Sequence, residues 1–237
     1  MAIFRSSDSS SRGGDNFEFE RRNLLAEIAA ETVETSDSTG LASIDPRVLS
    51  AMGRVPRHEF VPPAERAYAW LNRPLPIGCG QTISQPFIAA LMTSLLEPQP
   101  DDRVLEVGTG CGYQAAVLAE IVGEVYTIEL EPVLARGAAD RLRRLGYDSV
   151  HVRTGDGAAG WAEHSPFDGI IVTAGATAVP PALVEQLKPG GRMVIPVDAY
   201  EGQDLQVLKK AADGTSETIS VLPVAFVPLR TSSGQRR

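Results

Sequence analysis

VLEVGTGCGYQ, Val104 to Gln114, reads as an apolar strand, a loop with glycines at 108, 110 and 112, and the opening of a helix. Backbone that turns sharply with no Cβ in the way can approach a ligand closely. The spacing narrows the choice of ligand. The third glycine follows the second by two residues, whereas the dinucleotide fingerprint G-x-G-x-x-G places it three after, where Tyr113 stands. A loop of this kind is poorly shaped for a pyrophosphate, which argues against nicotinamide chemistry. A tight strand-to-helix turn with no ligand is the plain alternative until the flanking residues are read.

Outward from that loop the pattern is regular. RVLEVG, EVYTIEL, SVHVRTG, FDGIIVTAG and GRMVIPV are β-rich runs, and GYQAAVLAEIVG, EPVLARGAADRLRRLG, AAGWAEHS and PPALVEQLKPGG between them carry helical periods. Continuous apolar strands alternating with helices predict a doubly wound α/β fold, a mostly parallel sheet covered on both faces. LQVLKK, TISVLPV and AFVPLR follow without intervening helices and predict an antiparallel C-terminal edge. Toward the N-terminus, residues 1 to about 16 have little to bury and predict a mobile tail. FERRNLLAEIAAETVET then sets Leu24, Leu25, Ile28, Thr32 and Val33 at helical spacing, an amphipathic helix. A short helix follows, with Asp45 as N-cap and Pro46 at its first position, stopping near Gly53. These features divide the chain into an N-terminal extension, 1–40, and a single domain, 41–237, whose segment 41–100 forms a substrate-loop region.

Composition sets the outer limits. With 237 residues, 43% apolar and 22% charged, the chain can bury a full core. A net charge of −8 leaves no basic field to gather nucleic acid. Cys79 and Cys111 have neither CxxC nor Cys/His spacing, so they read as thiols of a reducing, cytoplasmic compartment rather than a disulfide framework or a metal site. No run approaches the roughly 18 apolar residues of a membrane span.

Three acids give the glycine loop its chemistry. Glu106, two residues before Gly108, would repel a pyrophosphate but can pair with an amine. Glu129 ends the second strand of the motif, where an acid can accept both ribose hydroxyls. Asp156, in GDG after the third, can accept from an exocyclic adenine amine. Each acid alone could be a solvated strand-end charge. Together they describe a ligand with ribose, adenine and an ammonium but no phosphates, and S-adenosylmethionine fits that description.

With these residues in place, the chain strongly resembles the protein-L-isoaspartate O-methyltransferases, class I Rossmann-like enzymes. The matching blocks are VPRHEFVP (55–62), LPIGCGQTISQP (75–86), RVLEVGTGCGYQAAVLAE (103–120), GDG with Gly160-Trp161, PFDGIIVTA (166–174), KPGGRMVIPV (188–197) and FVPL (226–229). They occur in family order, and the PIGxGQTISxP block is the specific one. The resemblance implies methyl transfer from S-adenosylmethionine, leaving S-adenosylhomocysteine, to the free α-carboxylate of isoaspartyl residues in damaged proteins and peptides. The ester then cyclises to a succinimide whose hydrolysis returns some normal aspartate. It also implies Ser84 as the catalytic residue, substrate contacts from Thr82, Ile83 and Ser84, and cofactor contacts from Glu106, Gly108, Thr109, Gly110, Gly112, Glu129, Asp156 and Gly157. No metal, nucleic acid or membrane is implied, and a monomer is favoured. Cys111 stands where the family commonly has Ser, and Leu71 replaces an acid often seen before Asn72.

The residue types suit that chemistry. An α-carboxylate, with a reference pKa of about 3.3–3.7, is ionised at neutral pH and requires no general base. Accordingly His58, His151 and His164 form no recognisable base pair or metal motif. Hydroxyls such as Ser84 and Thr82 can hold the acceptor without neutralising it, whereas a cation in contact would bind its ground state too well. Two rivals share the fold. A nucleic-acid methyltransferase would commonly carry an Asn/Asp-Pro-Pro-aromatic loop where this chain has TAGA, 173–176. A non-catalytic cofactor-binding module would keep the pocket and ignore Ser84.

Overall fold

The structure is a computed structural model that describes residues 17–231, so the tail expected at residues 1 to about 16 lies outside the described residues. Its centre is a seven-stranded sheet in the order β5-β4-β3-β6-β7-β8-β9. The strands are β3 (Arg103–Val107), β4 (Glu124–Glu129), β5 (Val150–Thr154), β6 (Phe167–Val172), β7 (Leu187–Asp198), β8 (Gln203–Lys210) and β9 (Ser216–Val224). The first five pair in parallel, and β8 and β9 continue antiparallel. The strand order reverses at β3, which opens a crevice at the carboxyl ends of β3, β4 and β6.

Alternation along the strands feeds two cores. In β6, Ile170 and Val172 pack on one face and Ile171 on the other. The Ile171 face is the thicker. It carries α3 (Pro46–Arg54), α4 (Pro86–Leu96), α5 (Tyr113–Ala119) and α6 (Pro132–Arg144). Helix α4 is apolar but for Thr93 and Ser94 and is buried nearly all round. That is possible only because a further layer covers its outer side.

The layer includes α1 (Glu18–Glu34), and here the expected division at residue 40 does not coincide with a break in packing. Leu24 and Ile28 are at most 2% exposed and belong to the same core cluster as α4 and the sheet. Of the five positions expected on its apolar face, Leu24, Ile28 and Thr32 are buried and Leu25 is half-buried, but Val33 points outward. Between α3 and α4 the uncharged segment 75–83 forms a short antiparallel hairpin, β1 (Leu75–Gly78) and β2 (Gln81–Ile83), turned by Cys79 and Gly80 with positive φ.

Two expected elements take other forms. AAGWAEHS makes two 3₁₀ turns, Gly157–Ala159 and Ala162–His164, because Gly160 takes a positive φ between them and interrupts any longer helix. AFVPLR is not a strand. It crosses the carboxyl edge of the sheet and touches it through Gly175 N donating to Val227 O and Leu229 N to Gly175 O, each 2.8 Å.

Because α1 is part of the core, Ile28→Ala should destabilise the whole fold by about 2–5 kcal/mol, as truncation of a buried Ile does elsewhere. Urea unfolding followed by tryptophan fluorescence checks this: a single transition at lower midpoint is expected, and an unchanged midpoint would show α1 to be dispensable.

Candidate active site

The crevice at the strand-order reversal holds a cavity lined on its sheet side by Glu106, Gly108, Thr109, Gly110, Glu129 and Gly157, and on its other side by Thr82, Ile83 and Ser84 from the hairpin. Sequence blocks far apart in the chain thus face one another across one space.

Glu106 is the most unusual of these residues. It is 0% exposed, and its Oε2 accepts from the Thr127 hydroxyl, which in turn lies 2.6 Å from that of Thr109. Its Oε1 is buried without a partner. Burial raises the pKa to about 8, against the Thr127 bond, with the neighbouring Glu129 raising it further. A buried carboxyl oxygen left unsatisfied is costly, and this one can receive a ligand's cationic donor. The cavity therefore fits the ammonium of an amino-acid-like ligand.

Glu129 is held differently. It accepts from Gly110 N at 2.7 Å through Oε2 and from Glu131 N at 2.9 Å through Oε1, so the carboxylate that closes β4 also fixes the glycine loop. Two oxygens with one bond each retain acceptor capacity for hydroxyls. Gly108 must be glycine: its φ is +100°, and a Cβ there would lie 2.5 Å from Thr173 Oγ1. That hydroxyl donates to Gly108 O at 2.6 Å and ties the loop to the end of β6. Gly157 presses close against Val107, leaving no room for a side chain.

Two expected cofactor contacts stand apart. Gly112 does not line the cavity; it caps the start of α5, and a Cβ there would meet Leu142 of α6 at 3.1 Å, so its smallness serves helix packing. Asp156 lines a neighbouring cavity with Thr177, Val179 and Pro180. Its Oδ1 accepts from Ala158 N at 3.0 Å and caps the turn that presents Gly157.

On the acceptor side, Thr82, Ser84 and Thr173 line both the first cavity and a second one of about 530 Å³, which extends along Leu222–Val227 and is also lined by Glu31 of α1. Glu31 accepts from Asn72 Nδ2 at 2.6 Å, and Asn72 Oδ1 accepts from Phe87 N at 2.9 Å, bracing the start of α4 just after Ser84. Arg57 Nη2 donates to Ser84 O at 2.7 Å. The C-terminal segment forms another wall through Val227–Arg230, with Arg230 paired to Glu131 at 2.7 Å. Glu31, Arg57 and this segment had been given no role from sequence, although VPRHEFVP and FVPL signalled that their neighbourhoods matter. None of the histidines lines the cavity: His58 packs against Phe17 and Trp70, and His151 and His164 flank Tyr126. Among the described residues no group of three or more His, Cys, Asp or Glu could hold a metal ion, and no helix is long and apolar enough to cross a membrane.

Residues 26–234 match the family description "Protein-L-isoaspartate(D-aspartate) O-methyltransferase (PCMT)". Protein-L-isoaspartate O-methyltransferase 2 of Syntrophobacter fumaroxidans is 59% identical over 210 residues, 88% of this chain and 85% of that protein. Protein-L-isoaspartate O-methyltransferase 1 of Cupriavidus necator is 56% identical over 211 residues, covering 89% and 82%. A solved protein-L-isoaspartate O-methyltransferase superposes with a TM-score of 0.78 at 29% identity, over 90% of this chain and 67% of that one. A Plasmodium falciparum chain described as a beta-aspartate methyltransferase, solved in complex with S-adenosyl-L-homocysteine, shares the fold at a TM-score of 0.74 and 22% identity, over 89% and 98%.

The raised pKa of Glu106 makes a signed prediction. The folded state holds a proton that the unfolded chain releases near 4.5, so this contribution to stability is complete below about 4.5 and is lost as pH rises through about 8. Urea midpoints of the ligand-free protein should fall across that window more steeply than those of Glu106→Gln, and parallel curves would show that Glu106 does not titrate there.

Proposed function

The chain belongs to the protein-L-isoaspartate O-methyltransferase family, and from that premise we propose how its own residues carry the reaction. The enzyme methylates the free α-carboxylate of isoaspartyl residues in proteins and peptides, the first step of their repair. S-adenosylmethionine supplies the activated methyl group as a sulfonium.

Glu106 receives the cofactor's ammonium: its orphaned Oε1 supports this, and pairing converts the carboxyl to its ionised form. Glu129, already aligned by Gly110 and Glu131, accepts the ribose hydroxyls. Gly108, Thr109 and Gly110 give the close backbone approach. Asp156 serves the adenine end by capping the turn that sets Gly157 in the cavity wall.

The isoaspartyl chain enters by the second cavity, and Ser84 with Thr82 stands where the two spaces meet. The acceptor arrives ionised, so the protein's work is alignment rather than proton removal. Hydroxyl donors orient the oxygen while leaving its charge for the displacement. Ile83, 3% exposed, anchors the hairpin that carries them. Walls from hairpin, sheet edge and C-terminal segment enclose the junction, which favours an anion meeting a cation with little water between. With Cys79 and Cys111 both free thiols, we place the enzyme in the cytoplasm, acting as a monomer on isoaspartyl proteins.

The carrying observation is one cavity with an orphaned carboxyl oxygen on one wall and Ser84 on the other. Paired peptides differing only in Asp or isoAsp test it with labelled S-adenosylmethionine: methyl transfer is expected to isoAsp alone. Ser84→Ala should lower kcat/KM for that peptide about ten- to hundredfold, the worth of a hydrogen bond to a charged group, with calorimetric affinity for S-adenosylhomocysteine retained. Turnover at the parent rate would remove Ser84 from the mechanism.

A further inference from the structure

Arg57 is a buried cation without a counter-ion. It is 0% exposed; Nε donates to Ala69 O at 2.9 Å, Nη2 donates to Ser84 O at 2.7 Å, and the guanidinium lies 4.7 Å from the centre of the Tyr113 ring. Its Nη1 and the Tyr113 hydroxyl are both buried with no well-formed hydrogen bond, although the two side chains bear on each other. The ionisable groups nearest it, Tyr113 and Cys111, are held neutral by burial, which raises both their pKa values, and no carboxylate among the described residues pairs with it. Guanidinium stays protonated in proteins, and a buried charge ordinarily has a partner. One held only by carbonyls and a ring is poorly compensated until an anion comes near.

The bond to Ser84 also orients a peptide group. The Ser84–Gln85 bond is trans, so with the Ser84 carbonyl turned toward the guanidinium, the Gln85 N–H points the opposite way. Ser84 and Gln85 both line the second cavity. A cation on the carbonyl side polarises the peptide and strengthens that N–H as a donor.

We propose that Arg57 is a positioning residue for the acceptor, delivering positive potential to the isoaspartyl carboxylate through the Ser84–Gln85 peptide without touching it. The inference rests on the assignment of the acceptor site to Ser84. Distance is what makes the arrangement useful. A guanidinium in contact would stabilise most the charged ground state, whose charge vanishes during methyl transfer. One peptide away, it favours capture of an anion over a neutral side chain and leaves the oxygen reactive.

The test compares an isoaspartyl peptide with its neutral isoasparaginyl counterpart, binding each to the enzyme saturated with S-adenosylhomocysteine, for wild type, Arg57→Lys and Arg57→Met, with steady-state KM and kcat for the isoaspartyl peptide. Wild type should prefer the carboxylate by about tenfold or more. Arg57→Met should lose that preference and raise KM by a similar factor, with kcat changed less than about twofold, and Arg57→Lys should recover most of it. Equal binding of the two peptides by wild type overturns the proposal with no variant needed, so it stands even if Arg57→Met fails to fold. Loss of kcat at constant KM in both variants overturns it as well, since that is the mark of a structural prop. Ser84→Ala run in parallel separates the two readings: if it binds and methylates the peptide normally, the acceptor site itself is misplaced, whatever Arg57 does.

Discussion

The glycine loop is pinned from both sides, and the rest of the site is arranged around that. Gly108 N and Thr109 N both donate to Ile128 O, at 2.9 and 3.2 Å, and Gly110 N donates to Glu129, so the end of β4 holds one flank. Thr173, just beyond β6, holds the other through Gly108 O. A loop that spans the strand-order reversal and is bonded to both neighbouring strands has little freedom left. Its ligand-facing backbone is thus set by folding rather than by the ligand, the condition for alignment to contribute to rate.

Much of this was legible because it is local. The glycines, the strand-end acids and the β–α alternation lie within short windows, and parallel strands buried on both faces leave an apolar signature that few other structures share. The exceptions have physical reasons. AFVPLR has β-type residues, but its backbone meets the sheet's main chain at Gly175 and is otherwise held by the Gln203 side chain at Phe226, so it becomes a wall instead of a strand. AAGWAEHS has a helical period, but Gly160 at φ +65° divides it, and its near approach to the Gln186 side chain leaves no room for a larger residue. Gly112 belongs to the same triplet as Gly108 and Gly110, yet its constraint comes from Leu142, thirty residues on, which spacing does not reveal. Asp156 occupies a strand-end position like Glu106 and Glu129, but the cap it makes on Ala158 takes its carboxylate into the next cavity. Arg57 and Glu31 act on backbone and side chains 27 and 41 positions away, and a lone Arg or Glu in a charged surface helix or turn carries no mark of that.

The electrostatic layout separates two tasks that would otherwise interfere. One wall carries two acids, Glu129 clamped by backbone N–H groups and Glu106 with its pKa raised to about 8 by burial. The acceptor wall carries hydroxyls at the junction, and its one acid, Glu31, is engaged by Asn72 and Gln85. An anionic acceptor therefore meets neutral donors, while the cationic ligand meets carboxyl groups, and neither set of groups competes for the other's ligand. The overall charge of −8 makes such local control necessary, because the long-range field of the protein repels the anion it must admit.

Arg57 lies where the two walls meet. Its guanidinium rests on Tyr113, the first residue of the helix that follows the glycine loop, while its two engaged nitrogens hold Ala69 and Ser84 in the region N-terminal to the sheet. The guanidinium thus sits between the helix that follows the glycine loop and the Ser84 peptide. A lysine could supply the charge but not the fork that fixes two carbonyls at once. Glu31 braces the same junction from the other side through Asn72 and Phe87 N, carried on α1, whose Leu24 and Ile28 hold it in the core. The N-terminal layer thus contributes both core burial and a lining residue of the second cavity.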